Sequence, residues 1–183
     1  MVTGMWVDIL LLAELARGPR HGYELRREVE AATGHALSNN SLYPRLRQFG
    51  DAEAVLRSAE EQEGKPPRHI YSITDVGREL LHDLLAILPE DSTDSSREFM
   101  ARLTNFSWLR PQEQLQVLDA RSRLLARKRE RVAVLASARV EQWSRLALDH
   151  GIERIDAERA WLEGLRGEIQ AEAPASDTVV EDR

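Results

Sequence analysis

Between residues 112 and 149 the chain runs for nearly forty positions without a proline or glycine, and this stretch constrains the fold more than any other. Nothing in it ends a helix. Leu118, Leu125, Val132, Ala136, Val140, Trp143 and Ala147 recur in steps of seven, four and three, which lays an apolar seam along one side of a long helix. A helix of that length outruns the core of so small a domain, so the seam calls for a partner. Leu118, Leu125, Val132, Val140 and Trp143 are therefore the expected interface of a homodimer. Pro111 suits a first helical position, and Gly151 is expected to end the long helix. A last helix over about 156–171 carries Trp161, Leu162, Leu165 and Ile169. The basic run RSRLLARKRER (121–131) has two readings: a contact for DNA or an anionic effector, or a solvated helix face relieved by Glu113, Glu130 and Glu141. The solvated face is the simpler one.

The first half is organised around SNNSLYPRLRQ (38–48). Ser38 can cap a helix by accepting a hydrogen bond from a free backbone N–H. Leu42, Leu46 and Phe49 fall at i, i+4 and i+7, the spacing that packs a helix on a core. Asn39, Asn40, Ser41, Tyr43, Arg45 and Arg47 are left on or near the other side, with no carboxylate before Asp51. Neutral donors at a helix start suit phosphate oxygens, and arginine reads guanine edges or neutralises phosphate. Two helices precede it, over 5–16 and about 22–32, separated by Gly18-Pro19 and closed by Gly34. After it, 54–57 and 69–73 are short runs rich in branched or aromatic residues around a polar loop containing Gly64, Pro66 and Pro67. Strand, loop and strand after three helices make the wing of a winged helix-turn-helix, with Lys65 and Arg68 held toward the minor groove or adjacent phosphates. Thr74 caps a fourth helix that Pro89 stops.

The 183 residues carry a net charge of −6, with 31% charged residues and no cysteine. For a DNA-binding protein the position of the positive charge matters more than the total. Without cysteine there are no disulfides or thiolate metal sites, which allows a reducing cytoplasm, the expected location. The longest apolar run, 9–13, is far below membrane-spanning length. His21, His35, His69, His82 and His150 lack ligand spacing, so no metal or cofactor is expected. Nor is there a phosphate-binding glycine loop or a nucleophile elbow, and an enzyme is not expected.

Three blocks in order, GPRHGYEL (18–25), SNNSLYPRLRQ (38–48) and KPPRHIYSITDVG (65–77), resemble the PadR family of transcriptional regulators. That family typically shows G-P-x-H-G-Y-E-L, then S-P-G-x-L-Y-P-A-L, then a wing ending in Y-Y-x-L-T-x-x-G. The resemblance covers about the first 90 residues; beyond them only the helix layout agrees. Asn39 and Asn40 depart from the usual Pro-Gly, Arg45 from a small residue, and Gly50 and Glu53 from the usual L-E-x-x-G ending.

The resemblance implies a mainly α protein. Residues 1–89 would form a winged helix-turn-helix with a small β-hairpin wing and 90–171 a long-helix dimerisation and effector domain, while 172–183, acidic, with Pro and Ser and no periodicity, is expected to be a disordered tail. It implies a dimeric repressor on an inverted-repeat operator in double-stranded DNA, relieved by a small aromatic or lipophilic effector. Ser38, Asn39, Asn40, Ser41, Tyr43, Arg45, Arg47, Lys65 and Arg68 would meet DNA. His21, Tyr23, Phe99, Leu103, Phe106 and Trp108 would line the effector site. The alternative is a helical protein-interaction module that keeps the winged-helix shape without reading DNA.

Overall fold

The computed structural model describes residues 4–34, 36–62, 65–89, 96–139 and 141–172. The chain divides into two compact units, Met1–Ile87 with Ser95–Trp108, and Leu88–Asp94 with Leu109–Arg183.

Helix α1 (Met5–Arg17) is the hub of the first unit. Val7, Ile9, Leu11, Leu12 and Ala13 have no exposed surface at all, which is burial around the helix rather than along one stripe. Packed on it are α2 (Gly22–Thr33), α4 (Asp75–Ala86), α5 (Ser96–Leu103) and strand β3 (Lys65–Ile73). The recognition helix α3 (Asn39–Asp51) buries Leu42, Leu46 and Phe49, as its spacing predicts. The wing strands run further than their branched residues suggest: β2 spans Val55–Gln62 and pairs antiparallel with β3 from Val55↔Ile73 to Gln62↔Lys65, with a register shift after Glu60. A short β1 (Arg20–His21) joins the other edge of β3, giving the order β1-β3-β2. Two residues between a Gly-Pro turn and a helix carry no strand periodicity, so β1 is illegible in the sequence.

The end of α3 is unusual. The N–H of Glu53 bonds Gly50 O at 3.0 Å and that of Ala54 bonds Phe49 O at 2.8 Å, the paired bonds of a Schellman motif. The motif needs a left-handed residue after the cap, and Glu53 takes that role with φ 56°. A side chain there is strained by about 1–2 kcal/mol. The turn is stitched to the start of α4. Thr74 Oγ1 donates to Glu53 O at 2.7 Å and accepts the Gly77 N–H at 3.1 Å, while the Thr74 N–H reaches Ala54 O at 3.1 Å. Gly77 is required here, because a Cβ would collide with the Ala54 carbonyl and the Ile73 side chain.

Two expectations about domain layout are corrected. Residues 96–108 do not begin the C-terminal domain; they complete the first unit. Phe99, Ala101, Phe106 and the whole Arg102 side chain are buried. Arg102 ties α5 to Met5 Sδ (3.2 Å) and Ile87 O (3.3 Å), and Arg17 donates to Asn105 Oδ1 at 3.2 Å. Phe99 reads as a dimer-domain residue only because an acidic, serine-rich stretch precedes it.

The long helix is also broken in two. In the second unit α6 (Pro111–Ser137) and α7 (Gln142–Glu172) pack as an antiparallel hairpin. The break needs neither Pro nor Gly. Ser137 Oγ bonds back to Val134 O at 2.8 Å. Glu141 then caps α7 with both carboxylate oxygens, 2.8 Å from Trp143 N and 2.6 Å from Ser144 N, and these hydrogen bonds hold its carboxyl below the usual range. Gly151 sits inside α7 rather than ending it. Leu118 and Leu125 are buried within the hairpin, which also buries Ile155 and Leu162, so they are unavailable to a partner. Val132 is half-buried, Trp143 is 71% exposed, and Val140 lies outside the described residues. The basic run is solvated only in part: Arg123 and Arg131 are exposed, but Arg121, 2% exposed, bonds Glu158 at 2.7 Å, and Arg129 bonds Asp156 at 2.6 Å. Both of these acids sit on α7. The expected disordered tail, 172–183, lies outside the described residues save for Glu172.

The strain at Glu53 predicts that Glu53→Gly stabilises the protein. Relief of the left-handed conformation outweighs the added unfolded-state freedom by about 0.5–1 kcal/mol. A denaturant midpoint that stays level or falls would contradict it.

Candidate nucleic-acid interface

Ser38 caps α3, its Oγ accepting the Ser41 N–H at 3.2 Å. Asn39 and Asn40 are exposed in the first turn, Ser41 is half-buried against the cap, and Arg26 donates to Asn39 Oδ1 at 3.3 Å. Pro44 lies inside the helix; lacking an N–H, it leaves the Asn40 carbonyl without its usual i+4 donor. That adds a backbone acceptor to the donors and acceptors of the exposed side chains. Arg47 is exposed two turns along.

Tyr43 is 43% exposed and lies against the start of α2. A Cβ on Gly22 would stand 3.1 Å from its ring, so the Gly in H-G-Y serves the approach of α3. The turn between α2 and α3 is pinned by Leu37, whose N–H bonds Glu30 Oε1 at 2.9 Å.

Arg45 departs from its expected role. Its guanidinium turns inward to Asp8 on α1, at 2.9 Å, rather than toward the face that carries Arg47. Asp8 Oδ1 finds no partner among the described residues. Burial pushes the Asp8 carboxyl up from 3.8 to about 6, against the pull of Arg45. The position that is commonly small in the family thus holds an ion pair between the hub helix and the recognition helix.

On the wing, Arg68 is exposed and lies 6.0 Å from the Tyr23 ring centroid. Lys65 pairs with Gln62 through its backbone register, and its side chain lies outside the described residues. His21 stacks on Tyr23 at 5.5 Å, and its Nδ1 donates to His69 O at 3.2 Å. A cavity of about 500 Å³ is lined by His21, Gly22, Tyr23, Tyr43, Arg68, His69 and Tyr71. The expected effector set therefore separates. His21 and Tyr23 face the recognition helix and wing, whereas Phe99 and Phe106 are buried, Leu103 is half-buried and Trp108 is 41% exposed. Arg57, His69 and Tyr71 are the residues that sequence reasoning missed; Arg57↔Tyr71 pairing puts them on one sheet face, which only the register reveals.

Among the described residues no helix is long and apolar enough to cross a membrane, and no group of three or more His, Asp or Glu could hold a metal ion. A helix-turn-helix of α2 and α3 with a hairpin behind it is a winged helix, the class of domain that reads duplex DNA. Comparison with known sequences places it further: residues 11–83 match the transcriptional regulator PadR-like family, a family of regulators and not of enzymes. Over 74 residues the chain is 38% identical to an uncharacterized 37.1 kDa protein in transposon TN4556 of Streptomyces fradiae. That likeness covers 40% of this chain and 20% of the other, so the chain spans about a fifth of that relative. Similar solved structures include Bacillus subtilis PadR in complex with operator DNA (22% identity, 88% of this chain and 98% of that one, TM-score 0.43). Another is the putative transcriptional regulator TA0346 from Thermoplasma acidophilum (28% identity, 55% and 86%, TM-score 0.40). Bacillus subtilis PadR in complex with p-coumaric acid is similar at 21% identity, 93% and 99%, and TM-score 0.39.

The raised Asp8 carboxyl has a sign that can be tested. A carboxyl raised on folding favours the protonated state, so its contribution is full below pH 3.8 and is lost as pH rises through about 6. Asp8→Asn should therefore gain stability relative to wild type between pH 4 and pH 7. Denaturant midpoints that keep a constant difference over that range would rule it out.

Proposed function

We propose that this chain is a homodimeric DNA-binding repressor that reads an inverted-repeat operator in the cytoplasm and is released by a small aromatic or lipophilic effector. The observation that carries the DNA reading is the exposed face of α3. Asn39, Asn40, Tyr43 and Arg47 share it without a carboxylate, and Arg57 and Arg68 flank it from the wing. Asparagine reads adenine edges and arginine reads guanine or phosphate, while the chain's net charge of −6 limits non-specific adhesion. Ser38 and Ser41 position the helix, and Lys65 extends the wing's positive charge.

Arg47→Ala should weaken binding to DNA from upstream of the protein's own gene, with helix content unchanged. It should also lower the slope of log affinity against log salt by about one, as removal of one phosphate contact does. Lys65→Ala should do likewise. Affinity and slope unchanged in both variants would refute this DNA face.

The dimer reading moves from the buried Leu118 and Leu125 to the end of the α6–α7 hairpin. Val134 (68% exposed), Leu135, Trp143 and Leu146 cluster there in sequence. Four large apolar side chains left bare at one end of a helical pair suit an isologous contact. Trp143→Asp should yield a monomer in sedimentation without loss of helicity; a wild type that sediments as a monomer at micromolar concentration would refute the dimer.

For an effector, the supporting feature is a cavity of about 310 Å³ lined by Trp6, Leu10, Ala32, Met100 and Ala101 between α1, α2 and α5, with Arg97 over the Trp6 ring at 5.2 Å. A ligand there would press on α2, the first helix of the DNA-reading pair.

A further inference from the structure

A second cavity, of about 370 Å³, adjoins the one described above. The two share Tyr43, His69 and Tyr71 as walls, and the second adds Arg47, Arg57 and Asp51 among others. They are the two sides of one cleft between α3 and the inner face of the hairpin. On that face Arg57 pairs with Tyr71 and Ala59 with His69. The small Ala59 leaves room beside the imidazole.

The cleft holds hydrogen-bond donors that have no partner among the described residues. The Arg57 guanidinium touches His69 Nε2. A guanidinium only donates, so Nε2 accepts and the ring hydrogen sits on Nδ1. That Nδ1 is buried and has no partner among the described residues. An orphaned buried donor is costly, and the ring that carries it lines the cleft. Neither the Tyr43 nor the Tyr71 hydroxyl makes a hydrogen bond among the described residues, although Tyr71 is only 6% exposed. Three arginines, Arg47, Arg57 and Arg68, surround the cleft, against one lining carboxylate, Asp51.

We propose that this cleft is an anion site that takes a phosphate group, with Arg57 and the phenol hydroxyls of Tyr43 and Tyr71 as its donors and the His69 ring in its wall. Two sources share that chemistry: a phosphodiester of the DNA backbone, or a free phosphate compound. The first is favoured, because the cleft opens beside the exposed face of α3; that choice of source rests on the DNA reading above, whereas the anion site does not. A backbone phosphate seated there would fix the depth of α3 in the groove without reading sequence.

The test uses the full chain with two probes, a mixed-sequence DNA duplex and inorganic phosphate. Arg57→Gln, an exposed position, and Tyr71→Phe, which keeps the ring, are compared with wild type after thermal melting confirms folding. Arg57→Gln should bind the duplex about tenfold more weakly and lower the salt slope by about one. Tyr71→Phe should shift affinity in the same direction. In NMR at constant ionic strength, inorganic phosphate should move the His69 ring resonances saturably, and Arg57→Gln should abolish the movement. Loss of duplex affinity in Arg57→Gln identifies the DNA backbone as the source. Unchanged duplex affinity with a saturable, Arg57-dependent phosphate shift upholds the site and assigns it to a free phosphate. A wild type that binds no duplex overturns the DNA reading alone, and the phosphate titration then decides the site. No effect of Arg57→Gln on the duplex together with no saturable shift overturns the proposal.

Discussion

The geometry of the winged-helix unit depends on one stitched turn. Where α3 ends, Glu53 holds a left-handed conformation that turns Phe49 and Gly50 carbonyls onto the following N–H groups. Thr74 then closes the loop from the far end of the hairpin, bonding both Glu53 and Ala54 while capping α4. The two ends of the wing are thereby fixed at a single point beside the recognition helix. Because β2 leaves that point and β3 returns to it, the hairpin's inner face is set against α3, and Tyr43, Arg57, His69 and Tyr71 converge. A glycine at 77 is the steric condition for the closure.

Charge is distributed in keeping with that geometry. The acidic excess of the chain lies away from α3, and in the second unit it is spent on neutralising the basic run of α6 through Glu158 and Asp156. In the first unit one arginine of the recognition helix is diverted to Asp8. In this half-buried pair the desolvation of Asp8 outweighs the pull of Arg45, which raises its carboxyl. What it supplies is a fixed tie between the hub helix and α3.

Much of this was legible in the residues. The i, i+4, i+7 spacing of Leu42, Leu46 and Phe49 located α3, the Ser38 and Thr74 caps located its start and that of α4, and the three sequence blocks located the family's domain. The illegible parts have a common cause: they depend on partners distant in sequence. Arg45 reads as a DNA contact until Asp8, 37 residues away, is brought beside it. The break at 138–141 reads as continuous helix because Ser137 and Glu141 end and restart it by side-chain hydrogen bonds, which no propensity records. His69 reads as an isolated histidine until strand register sets it against Ala59 and beneath α3.

The first unit is discontinuous along the chain, since 96–108 return to it after the segment 88–94. This sets where the protein can be exchanged as a module. A chimera that swaps winged-helix heads at residue 89 would strip α1 of Phe99 and sever Arg102 from Met5 and the Ile87 carbonyl, leaving a buried guanidinium from one parent to find acceptors in the other. A junction at 108 carries the whole head. The natural unit of recombination in this protein is thus longer than its winged helix by one helix, and α5 travels with it.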